Sequence, residues 1–241
     1  MKLKTLIALL PVALMAAPVA AQDAAAPAAA PSPAAEAPAA PAAPAMTADQ
    51  FMSNPEWQLA LDLSSGGRVI IQLRPDMAPH HVERIKLLAR RGFYNGLLFH
   101  RVIDGFMAQG GDPRGNGTGG SELPDLTAEF NALPHVRGTL SMARAQSPDS
   151  ANSQFFIMLL PRLTLDHNYT VLGRVVSGME FVDRIQRGEP PARPTRIVQA
   201  SVLADGAPVP PAAALNADST VAASPALAPI SVDQLNAPQA R

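Results

Sequence analysis

The chain contains no cysteine. Disulfide staples, thiol nucleophiles and cysteine-based zinc sites are therefore excluded, and stability has to come from a packed core. Aromatic residues are sparse, with one Trp, two Tyr and eight Phe among 241 residues, so a cluster of them carries weight. The formal net charge is −1, from 19 basic and 20 acidic side chains, which gives no electrostatic case for a nucleic-acid partner. Proline, by contrast, is abundant at 25 residues.

The two ends account for much of that proline. Residues 1–21 (MKLKTLIALLPVALMAAPVAA) set Lys2 and Lys4 before an apolar run that closes on small residues, the layout of a secretory signal cleaved near Ala21. Pro11 interrupts the run and no stop-transfer charges follow, which argues against a retained membrane anchor. The expectation is an exported, periplasmic protein with no stable membrane insertion. Residues 22–56 are an Ala/Pro-rich linker and lead-in, in which proline favours extended chain over helix. Residues 206–241 are similar in composition and are expected to be a disordered tail, with ISVDQLNA the one candidate amphipathic turn. The folded domain is thereby placed at residues 57–205, one unit of ordinary size without internal repeats.

Within those limits the hydrophobic period is mostly two. WQLALDL puts Trp57, Leu59, Leu61 and Leu63 on one face, RVIIQL does the same with Val69, Ile71 and Leu73, and SSGG between them completes a hairpin. Further strands are expected at 97–103, at 107–111, at 138–143, at 153–159, at 170–176 and at 196–203. Pro79 opens an amphipathic helix, with Val82, Ile85 and either Leu87 or Leu88 as its apolar stripe and Gly92 after its end. GMEFVDRIQRG, residues 178–188, is a second helix. Many short strands with two helices predict a mainly β fold, a closed or nearly closed barrel, since a long open sheet would leave edges exposed.

One stretch, FHRVIDGFMAQGGD (residues 99–112), sets an arginine among aromatic and apolar side chains without the nucleophile or paired carboxylates of hydrolytic chemistry. Together with GTLSMA, SQFFI and LDHNYTVLGRVVSGMEFVDRI, in this order and spacing, it resembles the cyclophilin family of peptidyl-prolyl cis/trans isomerases, bacterial exported branch. The similarity runs from Trp57 to Leu203. It implies an eight-stranded antiparallel barrel capped by two α-helices, an enzyme without cofactor or metal, and unfolded proline-containing polypeptides as partners of a monomer.

That reaction needs no acid, base or nucleophile. An Xaa-Pro bond rotates over a barrier of about 20 kcal/mol, and as resonance is lost the prolyl nitrogen regains a lone pair that a guanidinium can bind. By resemblance Arg101 is that donor, with Gln109 beside it to orient the guanidinium and reach the peptide backbone. The resemblance lines the proline pocket with Phe106, Met107, Phe156 and Leu165, and gives the residue before proline to Ala143 and the backbone of Arg144, with Gln154 on the same face. Strand alternation allows only one of Phe155 and Phe156 to face a pocket. Three positions depart from the commonest pattern: Thr164 stands in place of a Trp, Tyr169 in place of a His at the pocket rim, and Arg144 in place of an Asn. Tyr169 can still supply a wall and a hydroxyl, whereas without the Trp cyclosporin has no favoured contact. A proline-segment-binding chaperone or adaptor is the alternative from another class.

Other patterns carry less. Gly115, Gly117 and Gly120 spell a dinucleotide fingerprint, but Pro124 blocks the helix that would hold the pyrophosphate. His80 and His81 diverge by about 100° on a helix and cannot easily share a metal. His100 is expected on the side opposite Arg101, buried and hydrogen-bonded. Ser141, His100 and Asp112 could be imagined as a hydrolase triad, but no nucleophile elbow surrounds Ser141.

Overall fold

The computed structural model describes residues 48–218. The signal-like segment, the linker up to residue 47 and residues 219–241, with ISVDQLNA, lie outside the described residues. Strands β1 (Gln58–Leu63), β2 (Gly67–Leu73), β3 (Arg101–Ile103), β4 (Met107–Gly110), β5 (Thr139–Met142), β6 (Phe155–Met158), β7 (Val171–Ser177) and β8 (Ile197–Val202) form one sheet. Its order is β3-β4-β6-β5-β7-β2-β1-β8, antiparallel at every pairing. The helices are α1 (Ala48–Ser53), α2 (Pro79–Arg90), α3 (Met179–Asp183) and α4 (Ala212–Leu215).

The sheet curls into a half-barrel rather than the closed barrel predicted. No ladder joins the edge strands β3 and β8. The chain leading into β3 meets the start of β8 through a single Leu98–Arg196 bridge, with Phe99 N–H to Thr195 O at 2.9 Å and Ile197 N–H to Leu97 O at 2.8 Å, and through Gly96 N–H to Ile197 O at 2.7 Å. The predicted strand 97–103 is therefore regular for three residues only, and it shields its free edge by a bridge from Val102 to Gly188.

The core fills the inside of this curl. Leu59, Leu61, Leu63, Val69, Ile71 and Leu73 from the hairpin pack with Val82, Ile85 and Leu88 of α2 and with Val182. Leu88, at 2% exposure, completes the helix stripe, and Leu87, at 39%, faces outward. Ala78 offers α2 no side-chain cap. Glu129 supplies it instead, accepting from the backbone N–H of His80 and of His81 at 3.1 Å each. The hairpin is less one-sided than its alternation suggested, for Asp62 is fully buried and held by both ends of the Arg68 guanidinium at 2.8 and 2.9 Å.

Three further differences have local causes. The second predicted helix is confined to Met179–Asp183, because the following chain turns so that Gly188 can bridge Val102. Helix α1 lies in the lead-in, where Met52 O accepts from Gln58 Nε2 at 2.8 Å. Residues 206–218, assigned by composition to a disordered tail, contain α4, with Leu215 only 8% exposed and Asp218 N–H donating to Ser64 O. One apolar residue close to the end of the described chain is enough to order what its Ala/Pro neighbours would not.

Gly111, just after β4, is fixed by geometry: its φ is +82° and an added Cβ would stand 2.5 Å from Ser153 O. Gly111→Ala is expected to lower stability by more than about 1 kcal/mol. Urea unfolding reads this as a lower midpoint at unchanged m; an unchanged midpoint contradicts it.

Candidate active site

Register places the predicted residues in rows across the sheet. Arg101 pairs with Gln109, Gln109 with Phe156, and Phe156 with Ser141, so one line of side chains crosses β3, β4, β6 and β5 on a common face. The next row, Val102, Ala108, Ile157 and Leu140, points into the core. A third, Ile103, Met107 and Met158, returns to the first face. Period-two alternation therefore gives the sheet two apolar faces. The larger is the core, and the smaller is a separate cluster of Met107, Phe156 and Met158 against Ile103, Phe106, Ala143, Leu165 and Tyr169.

That second cluster floors a cleft of about 580 Å³, within the ordinary range for small-ligand sites. Arg101, Phe106, Met107, Gln109, Ala143, Arg144, Phe156, Leu165 and Tyr169 all line it. Gln154 lies in the adjoining groove, where its Nε2 donates to Gly117 O and Gly119 O at 3.0 and 2.8 Å. Thr164 is exposed in the short 3-10 turn Leu163–Leu165 and is not part of the lining. Phe155 turns into the core, as the alternation required.

Aromatic contacts stiffen one wall. Tyr169 meets Phe156 edge to face at 5.7 Å, and His135 stacks beneath Phe156 at 6.1 Å. The Arg144 guanidinium lies over the Tyr169 ring at 4.7 Å and donates to Asn168 O at 3.2 and 3.1 Å. Arg162 covers Phe106 in the same way at 4.8 Å. Ala143 N–H is committed to Gln154 O at 2.9 Å. Among the described residues nothing pairs with the backbone N–H or carbonyl of Arg144, which are therefore open to an extended peptide.

Gln109 adjoins Arg101 in register and lines the same cleft, and its Nε2 donates to Gln154 Oε1 at 2.9 Å rather than meeting the guanidinium. The partner of Arg101 is Glu189, whose Oε2 accepts from Nε at 2.7 Å. Both side chains are about half exposed, and the terminal guanidinium nitrogens bond to no described residue.

Beneath Phe156, Ser141 Oγ is 3.1 Å from His135 Nε2, and His135 Nδ1 is 2.8 Å from Asp166 Oδ1. The residue types are those of a hydrolase triad, drawn from partners the sequence pattern did not single out. Ser141 is completely buried, with its hydroxyl also 2.9 Å from Thr170 O, so it meets no substrate and the trio serves as a scaffold for the wall. His100 is buried as expected, but it borders the same cleft and neither ring nitrogen finds a described partner. Asp112 accepts from the backbone N–H groups of Arg114, Asn116 and Gly117 and shapes the loop whose Gly115 and Gly117 complete the lining. Burial raises its pKa, but those backbone donors outweigh it and hold the carboxyl below the usual value. Glu189 and Pro190, 88 residues or more from Arg101 along the chain, are lining residues that no sequence signal marked.

Burial depresses three histidines, His81, His100 and His135, below the ordinary value of 6.5, against opposing pulls from Glu129, Asp112 and Asp166 respectively. In each case the folded state resists protonation while the unfolded chain accepts it. Their contribution to stability is therefore present above about pH 6.5 and is lost as pH falls through the depressed values. The urea midpoint at about pH 5 is expected below that at about pH 7.5; equal midpoints contradict this.

A mainly β half-barrel carrying an arginine beside the apolar floor of an open cleft suits catalysis without covalent bonds, by stabilising a distorted bound peptide. Residues 59–202 match the family described as cyclophilin type peptidyl-prolyl cis-trans isomerase/CLD. A probable peptidyl-prolyl cis-trans isomerase of Brucella suis is 50% identical over 169 residues, covering 64% of this chain and 86% of the relative. Peptidyl-prolyl cis-trans isomerase B of Bacillus subtilis is 44% identical over 131 residues, covering 53% and 89%. Cyclophilin AquaCyp293 of Hirschia baltica superposes with a TM-score of 0.60 at 30% identity, over 64% of this chain and 77% of that one. The chain belongs to the cyclophilin-type peptidyl-prolyl cis-trans isomerases and is an isomerase enzyme.

Proposed function

We propose that this isomerase works as an exported foldase of the cell envelope, a monomer that accelerates Xaa-Pro rotation in unfolded or partly folded clients. Export is supported by the basic, apolar and small-residue order of residues 1–21. Catalysis rests on one observation: Arg101 and Phe156 share a sheet row, which sets a cationic donor and an apolar floor in one cleft.

A client's proline ring enters over Phe106, Met107, Phe156 and Leu165, and its preceding residue lies against Ala143 and pairs with the backbone of Arg144. The guanidinium of Arg101 then donates to the prolyl nitrogen. In either planar state that nitrogen is a poor acceptor, since its lone pair is shared with the carbonyl. In the twisted state the lone pair is localised, so the hydrogen bond strengthens as the barrier is climbed, and only such differential binding raises the rate.

Exchange between the cis and trans signals of an Xaa-Pro peptide tests the reading. Catalytic amounts of the full chain are expected to speed exchange well above the uncatalysed rate, which takes tens of seconds or longer. Peptide binding with unaltered exchange would transfer the protein to the proline-binding adaptors instead.

A further inference from the structure

A half-exposed arginine keeps much of its rotamer freedom, so Arg101 needs something to aim it. No hydrogen bond joins it to Gln109, whose Nε2 donates to Gln154 Oε1 at 2.9 Å. Glu189 is built to aim it. Val102 and Gly188 exchange two backbone hydrogen bonds, at 2.8 and 2.9 Å. The residues one step further along, Arg101 and Glu189, then face each other as the non-bonded pair of an antiparallel bridge, where opposing side chains come closest. Gly188 fixes this register: its φ is +143°, and an added Cβ would stand 2.6 Å from Pro191 Cα. Glu189 takes only the Nε–H, at 2.7 Å, which leaves the two terminal nitrogens free of described partners. An ion pair this exposed adds little to stability.

We infer that Glu189 is a positioning residue, which grips Arg101 at Nε so that its terminal nitrogens are presented to the cleft. The inference rests on the catalytic assignment of Arg101. Held by one edge, the planar guanidinium offers its other edge in a fixed orientation, and the ordering is complete before substrate arrives. The sheet row thus extends one residue beyond β3: Glu189 aims Arg101, and Arg101 meets the peptide.

The test compares Glu189→Ala, Glu189→Gln, Arg101→Ala and the Arg101→Ala/Glu189→Ala double variant in the full chain, by peptide exchange kinetics at low and saturating peptide. Glu189→Ala is expected to lower kcat about tenfold with KM within about twofold, at an unchanged unfolding midpoint. Glu189→Gln, which keeps an acceptor oxygen, is expected to recover most of that loss. In the Arg101→Ala background, removing Glu189 is expected to cost nothing further. Wild-type kcat in Glu189→Ala while Arg101→Ala is impaired would overturn the positioning role alone, as would an equal loss in both backgrounds. Wild-type kcat in Arg101→Ala would overturn the positioning role and the assignment of Arg101 together.

Discussion

Phe155→Ala is expected to destabilise the fold by about 3–5 kcal/mol and to leave peptide affinity nearly unchanged, whereas Phe156→Ala, its immediate neighbour, is expected to weaken peptide binding as well as stability. Phe155 is 1% exposed and packs edge to face against Tyr94 at 5.6 Å and Phe99 at 6.3 Å, at the centre of the core. Its truncation leaves a cavity that close-packed neighbours cannot refill. Phe156 points the other way and presents its ring to the cleft, between Tyr169 and the floor. Because Phe156 is itself only 5% exposed, removing it also leaves a cavity, but in addition it deletes the surface a proline ring would cover. A rise in peptide Kd of about tenfold or more is expected, about 1.4 kcal/mol. Urea unfolding and peptide titration on both variants separate the two effects. Equal stability losses with equal affinities would show that the two faces had been assigned wrongly.

That contrast is legible in the amino-acid sequence itself, because period two leaves no choice about which neighbours share a face. The helix stripe of α2 is equally legible, save that only the tilt of the helix on the sheet separates Leu87 from Leu88. Barrel closure is not. It depends on how many residues β3 can contribute, and that is decided by Gly188 docking on Val102 rather than by the apolar run 97–103. The cleft residues named from the family motifs converge on one site, Gln154 standing just beside it. Glu189 is invisible in the sequence because nothing local relates it to Arg101: the pairing arises from one bridge that brings distant segments into register. His135 and Asp166 escape notice for the same reason. Each reads as an ordinary loop residue until the sheet sets Ser141 and Phe156 next to it. Composition misleads at residues 206–218, where one buried leucine outweighs its Ala/Pro neighbours.

Arg101→Ala is the other large effect. It is expected to lower kcat on the order of a hundredfold, the usual result of removing one preorganised donor from a charge-developing centre. Peptide affinity is expected to change little, since the planar ground states offer the guanidinium only a weak acceptor. Stability is expected to hold as well, because Arg101 is 45% exposed and its one ion pair, to Glu189, lies at the surface. A loss seen equally in kcat/KM and in Kd would instead mark Arg101 as a general binding residue.

The most direct measurement is the cis–trans interconversion rate of an Xaa-Pro peptide while bound, taken by NMR line shape at saturating protein for wild type and Arg101→Ala. Saturation removes affinity from the comparison, so the rate reports only how the cleft treats the twisted bond. Fast interconversion on the wild type and slow interconversion on a fully occupied Arg101→Ala is the predicted result. The same bound-state rate on both proteins would contradict it, and the arginine would then have no part in the rotation.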